Sequence, residues 1–116
     1  MILIFGGAYQ GKADFAKEKF NILDSDICDL SKEKPDMDKK VMYHFENYVY
    51  ENGDVRDGLQ MFKDKIIISN DVSCGLVPIS EKDRAFREDL GRVLTEISKE
   101  SDEVFRVFMG LGVKIK

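Results

Sequence analysis

Apolar and polar positions change period several times along this chain, and each change marks an element. Ile2 to Phe5 are apolar without interruption, which fits a parallel strand covered on both faces. Asp14 to Lys19 continue as a helix, with Phe15, Ala16 and Phe20 on or near one face, until Asn21 breaks it. Phe20-Asn21-Ile22-Leu23 predicts a second short strand running into Asp24-Ser25-Asp26. Ser31 to Pro35 reads as a polar, lysine-rich linker. From Asp36 to Tyr50 the apolar residues Met37, Val41, Phe45, Tyr48 and Val49 recur at helical spacing, and Glu51-Asn52-Gly53-Asp54 closes that helix. Val55 to Phe62 is a further helical piece or a loop. Lys65 to Asn70 is the clearest inner strand after the first. Pro78 and Ser80 lead into the longest helix, Glu81 to Lys99, whose Phe86, Leu90, Val93, Leu94 and Ile97 share one face. Val104 to Met109 is the last inner strand, and Gly110 to Lys116 form the tail.

The resulting order, β-α-β-α-(α)-β-α-β, predicts an α/β fold. We expect a three-layer sandwich: a mostly parallel sheet of about four strands with flanking helices, forming a single domain over residues 1–116.

Gly6, Gly7, Ala8, Tyr9, Gln10, Gly11 and Lys12 sit between the first strand and the first helix. They complete the pattern G-x-x-x-x-G-K of a phosphate-binding P-loop. Glycines let backbone N–H groups converge on anionic oxygens where a Cβ would obstruct both the positive φ and the close approach. The helix that follows turns its positive dipole end to the same point, and Lys12 adds a mobile charge for the β- and γ-phosphates. The next position, where Ser or Thr would bind Mg²⁺, is Ala13. The expected ligand is therefore a nucleoside triphosphate, ATP or GTP, with a weakened Mg²⁺ site. A plain glycine-rich turn with a solvated lysine is the alternative.

In parallel sheets ligands bind beyond the carboxyl ends of the strands. On the predicted order those ends gather Gly6 to Lys12, Asp24 and Asp26, Asn70 and Asp71, and Gly110. Asp71 stands just past an apolar strand, where an acidic residue can hold Mg²⁺, and Asn70 could position a phosphate or a water. Asp24 is the second metal candidate. Lys12, Asp71 and Asp24 are thus the candidate catalytic residues, unless the two aspartates only cap turns. Arg87 and Arg92 on the long helix could bind phosphate bidentately. His44, the chain's single histidine, lies beside an apolar stripe, where packing or surface exposure is the ordinary role and acid–base chemistry the other.

Composition narrows the classes. With 43% hydrophobic and 34% charged residues, a real core can form. A net charge of -4 and the lack of a basic arm argue against nucleic-acid partners. No apolar run approaches the roughly 20 residues of a membrane span. The five-residue apolar start has no basic flank and reads as a strand rather than a leader. Cys28 and Cys74 lack metal spacing and read as reduced thiols of a cytoplasmic protein.

The second half resembles a known family. Asn70-Asp71-Val72, Gly75-Leu76-Val77-Pro78, Phe86-Arg87-Glu88, Gly91-Arg92-Val93, Asp102-Glu103-Val104 and Gly110-Leu111-Gly112 are similar in order and spacing to the C-terminal part of the adenosylcobinamide kinase / adenosylcobinamide-phosphate guanylyltransferase family. Met1 to Ala8 resemble that family's opening. The resemblance implies a P-loop NTPase-like fold, phosphoryl transfer from a nucleoside triphosphate to the hydroxyl of adenosylcobinamide in cobalamin assembly, and a homo-oligomer. It also implies transfer of GMP through a covalent guanylyl-histidine. Here the chain departs: Asp24 to Asp64 do not resemble the family's middle, and His44 lacks the residues that flank the guanylylated histidine. Ala13 replaces Ser, Asp71 replaces Glu, and Leu94-Thr95 replace an Asn-Gln pair. The chain therefore reads as a shortened, divergent member from which guanylyl transfer is lost. Two other readings stand beside the kinase: a non-catalytic nucleotide-binding or interaction subunit, and a small-metabolite kinase whose Asp24-Ser25-Asp26 resembles the acidic pair of shikimate-type kinases.

Overall fold

A computed structural model describes residues 1–71 and 80–116; Cys74, Gly75 and Pro78 lie outside the described residues. The described chain forms one six-stranded sheet. Its strands are β1 (Ile2–Gly6), β2 (Ile27–Asp29), β3 (Val41–Tyr43), β4 (Ile66–Asn70), β5 (Glu103–Phe108) and β6 (Leu111–Lys114), in the order β2-β3-β4-β1-β5-β6. All neighbours are parallel except β5 and β6, which form an antiparallel hairpin.

The uninterrupted apolar character of β1 matches its place between β4 and β5. Successive residues face opposite sides of a strand, and the two cores divide accordingly. Leu3, Ile67 and Val104 pack with Phe45, Phe62, Leu90 and Ile97 beneath helices α2 (Phe45–Asn52) and α3 (Glu81–Glu100). Ile4, Ile68 and Phe105 pack with Ala16 and Phe15 of helix α1 (Lys12–Phe20) on the other face. The result is the expected three-layer α/β sandwich.

Local signals set the helix ends. Gly11 (φ 85°) precedes α1 and Asn21 (φ 54°) ends it, both left-handed. Ser80 caps α3 by accepting the backbone N–H of Asp83 through Oγ at 3.1 Å, and α3 runs one residue past the expected end.

Three expectations are corrected. Phe20 to Leu23 is not a strand: Phe20 closes α1, and the second strand begins at Ile27 after a 3-10 turn over Asp24–Asp26. The helix expected over Asp36 to Tyr50 is a turn, the short strand β3 and then α2. The stripe misleads because Val41 and Met42 are buried on opposite faces of a central strand, whereas Phe45 and Val49 are buried by a helix. The tail is ordered as β6; three of the four expected strands stand as β1, β4 and β5, and β2, β3 and β6 bring the sheet to six. Arg56–Phe62 is a 3-10 segment whose Leu59 and Phe62 are buried.

Candidate functional site

The glycine loop leaves the carboxyl end of β1 and is held from three sides. Gly6 accepts the N–H of Asp71 at 2.8 Å, and a Cβ there would lie 2.4 Å from the Val107 carbonyl oxygen. Gln10 ties the loop to the β5–β6 turn: its carbonyl accepts Gly110 N–H at 2.8 Å, and its Oε1 accepts Met109 N–H at 2.7 Å. Tyr9 (φ 60°) and Gly11 (φ 85°) take the positive φ values that shape the loop. Lys12 opens α1, is buried, and donates through Nζ to the carbonyl of Gly7 at 2.7 Å. Burial lowers its pKa, and the negative charge of Glu46 pulls it back up.

Around this loop lies a cavity of about 360 Å³. Ala8, Tyr9, Gly11, Lys12, Ala13 and Asp14 form one wall; Tyr43, His44 and Asn70, from the carboxyl ends of β3 and β4, form the other. Asn70 and Gly110 therefore reach the loop as the strand order predicts. Glu46, buried on α2, fixes this rim by accepting Asn70 N–H at 3.0 Å.

The acidic candidates are placed differently. Asp24 precedes β2, so it lies at the amino-terminal edge of the parallel sheet, away from the glycine loop. Its side chain is exposed and paired with Lys17. It does not line this cavity, and the likeness of Asp24-Ser25-Asp26 to an acidic pair after a second strand falls with the misplaced strand. Asp71 follows β4, next to the loop strand, but lines a separate cavity of about 220 Å³ on the α3 side together with Arg87. Arg92 pairs with Glu88 and Asp89 on its own helix. Among the described residues, no three His, Cys, Asp or Glu side chains come together as a metal site.

Sequence reading missed Asp29, Glu46 and Asp14, and underweighted His44. Asp29 ends β2 at the same edge as the glycine loop. Its Oδ1 lies 2.8 Å from His44 Nδ1 and accepts Ser31 Oγ–H at 2.6 Å. Burial alone would raise the Asp29 carboxyl, but the hydrogen bonds from Ser31 and His44 outweigh it and hold the pKa below its ordinary value. His44 has a left-handed backbone (φ 58°) between β3 and α2, and its ring lies 3.8 Å from that of Tyr43. The available signal was His44 placed directly after Val41-Met42-Tyr43, the apolar run of a short strand; the assumed helix hid it.

Fold and cavity together define a P-loop-like α/β protein whose cavity lies at the carboxyl ends of β1, β3 and β4, the edge at which parallel sheets bind ligands. Residues 37–115 match the family described as cobinamide kinase / cobinamide phosphate guanyltransferase. That is more than half of the chain, which belongs to this family. Two curated relatives, from Escherichia coli (strain K12) and Salmonella typhimurium (strain LT2), are each named bifunctional adenosylcobalamin biosynthesis protein CobU. Each is 41% identical over 51 residues, 44% of this chain. The aligned stretch covers 28% of each relative's length. The family match begins after the glycine loop, so the reading of the loop rests on its own sequence and geometry.

Proposed function

We propose that the cavity binds the triphosphate of ATP or GTP, and that the chain transfers the γ-phosphoryl group to the hydroxyl of adenosylcobinamide in cobalamin assembly. The observation that carries this reading is the meeting of Lys12, the loop backbone, Asn70 and His44 in one cavity. Loop N–H groups and the start of α1 would cradle the phosphates. Lys12 would exchange its bond to Gly7 for the β- and γ-oxygens. The protein side chains offer a thin ligand set for a metal: Ala13 has no hydroxyl, Asp24 and Asp71 do not line this cavity, and Asp14 is the one carboxylate that does among the described residues. Mg²⁺ accordingly comes with the nucleotide, held by phosphate and water.

Guanylyl transfer is lost in this reading, because the family's histidine motif is not recognisable. The exposed apolar side chains of edge strand β6, Leu111 at 71% and Val113 at 59%, support a homo-oligomer, since such an edge invites pairing. No helix of the described residues is long and apolar enough to cross a membrane; the cytoplasmic placement we propose rests on reading Cys28 and Cys74 as reduced thiols. Ala13 favours a second reading, a nucleotide-binding subunit without turnover.

The test incubates the protein with adenosylcobinamide, Mg²⁺ and either triphosphate, with mass spectrometry of the products and of the denatured chain. The kinase reading predicts phosphorylated adenosylcobinamide and no GMP adduct. Bound nucleotide without product would establish the second reading, and a GMP adduct would show that guanylyl transfer persists.

A further inference from the structure

We propose that His44 is the general base of this site, oriented by Asp29. The inference rests on the proposed phosphoryl transfer and assigns it a residue that the glycine loop does not supply.

An ionised carboxylate can only accept hydrogen bonds. The depressed pKa of Asp29 keeps it ionised at neutral pH, so the 2.8 Å contact assigns the proton to His44 Nδ1. The neutral ring then carries its lone pair on Nε2, the nitrogen left for a ligand in the cavity that His44 shares with Lys12 and Asn70. The ring is further fixed by Tyr43 at 3.8 Å. Its backbone is also unusual: a left-handed histidine costs energy and is found where the surroundings impose it. Ser31 supports the arrangement from behind by donating to the same carboxylate. A base held by a carboxylate, in the same cavity as the phosphate loop, can orient an attacking hydroxyl and accept its proton as the phosphoryl group transfers.

In the step, the acceptor oxygen forms a bond to the γ-phosphorus while the bond from that phosphorus to the β–γ bridging oxygen breaks. The bridging oxygen leaves on the nucleoside diphosphate with the bonding pair. The hydroxyl proton passes to His44 Nε2 and then to water. Asp29 stabilises the imidazolium between the two transfers, as a positioning residue.

His44 is the chain's one histidine, so its nitrogen resonances need no assignment. In protein labelled with ¹⁵N-histidine, the neutral ring should show Nδ1 protonated and Nε2 bare, and ATP should shift the Nε2 signal. His44→Asn keeps a residue that tolerates a left-handed backbone and a donor for Asp29. It should bind ATP within about threefold of wild type by calorimetry, yet lose roughly 10²- to 10⁴-fold in transfer to adenosylcobinamide. Asp29→Asn should admit the tautomer protonated at Nε2. An Nε2–H tautomer in wild type, an Nε2 signal unmoved by bound ATP, transfer by His44→Asn within threefold of wild type, or binding without any transfer by wild type would each overturn the base. Absence of ATP binding to wild type would instead overturn the nucleotide reading, and the base with it.

Discussion

Gly6→Ala places one methyl group where the structure has no room. Its Cβ would sit 2.4 Å from the carbonyl oxygen of Val107 and 3.4 Å from the carbonyl carbon. Both are backbone atoms of β5, so no side-chain rotation relieves the contact. To reach 3.0 Å, the shortest separation real Cβ atoms show, β1 and β5 must part by more than half an ångström. These are inner strands: β1 is paired on its other side with β4 through five register positions, and β5 with β6. Overpacking of this kind costs about 1–3 kcal/mol. For a domain of this size that lowers Tm by roughly 4 °C per kcal/mol, or about 4–12 °C altogether. The shift also moves the start of the glycine loop and strains the Asp71-to-Gly6 bond, so nucleotide affinity should fall with stability. Gly91→Ala is the counterpart: nothing lies within 4 Å of its Cβ, and alanine in a helix interior gains about 0.5–1 kcal/mol over glycine. Thermal unfolding followed by circular dichroism reads both. A Gly6→Ala midpoint within about 2 °C of wild type, or one above that of Gly91→Ala, would refute the packing argument.

Two further substitutions address the site. Ala13→Ser restores a metal-binding hydroxyl beside Lys12, so Mg²⁺ should tighten ATP binding more in the variant than in wild type; equal Mg²⁺ effects in paired calorimetric titrations would count against it. Asp29→Asn tests the carboxylate through acid unfolding. A carboxyl whose folded pKa is depressed stabilises the fold above its unfolded value, about 3.9, and that contribution disappears as pH falls through the folded value. Wild type should therefore lose stability below about pH 4 more steeply than Asp29→Asn, and identical acid slopes in urea melts would contradict the Asp29–His44 pairing.

The turn between β1 and α1 was legible from its glycine motif, and β1, β4, α3 and β5 because each keeps one apolar pattern over its whole length. The segment from Phe20 to Tyr50 was not. Its strands β2 and β3 have three residues each, too few to display a period, and the spacing of Met37, Val41 and Phe45 imitates a helix. That error had a functional cost. It put Asp24 at the ligand edge and left Asp29 unnoticed, although Asp29 is the aspartate that the strand carries there. It also buried His44 within an imagined helix, when the residue stands at a strand end facing the loop. Glu46 was hidden for the same reason, since its value lies in reaching Asn70 and Lys12 across the rim rather than in any local motif.

The central claim is that the loop from Gly6 to Ala13 is a triphosphate site worked by Lys12. Isothermal calorimetry of ATP and GTP, with wild type and with Lys12→Ala shown to be folded by circular dichroism, measures it most directly. A charge-assisted hydrogen bond contributes about 1.5–3 kcal/mol, so Lys12→Ala should weaken binding by roughly ten- to hundredfold. Wild type that takes up neither nucleotide at millimolar concentration, or a Lys12→Ala variant that binds as tightly as wild type, would contradict the account.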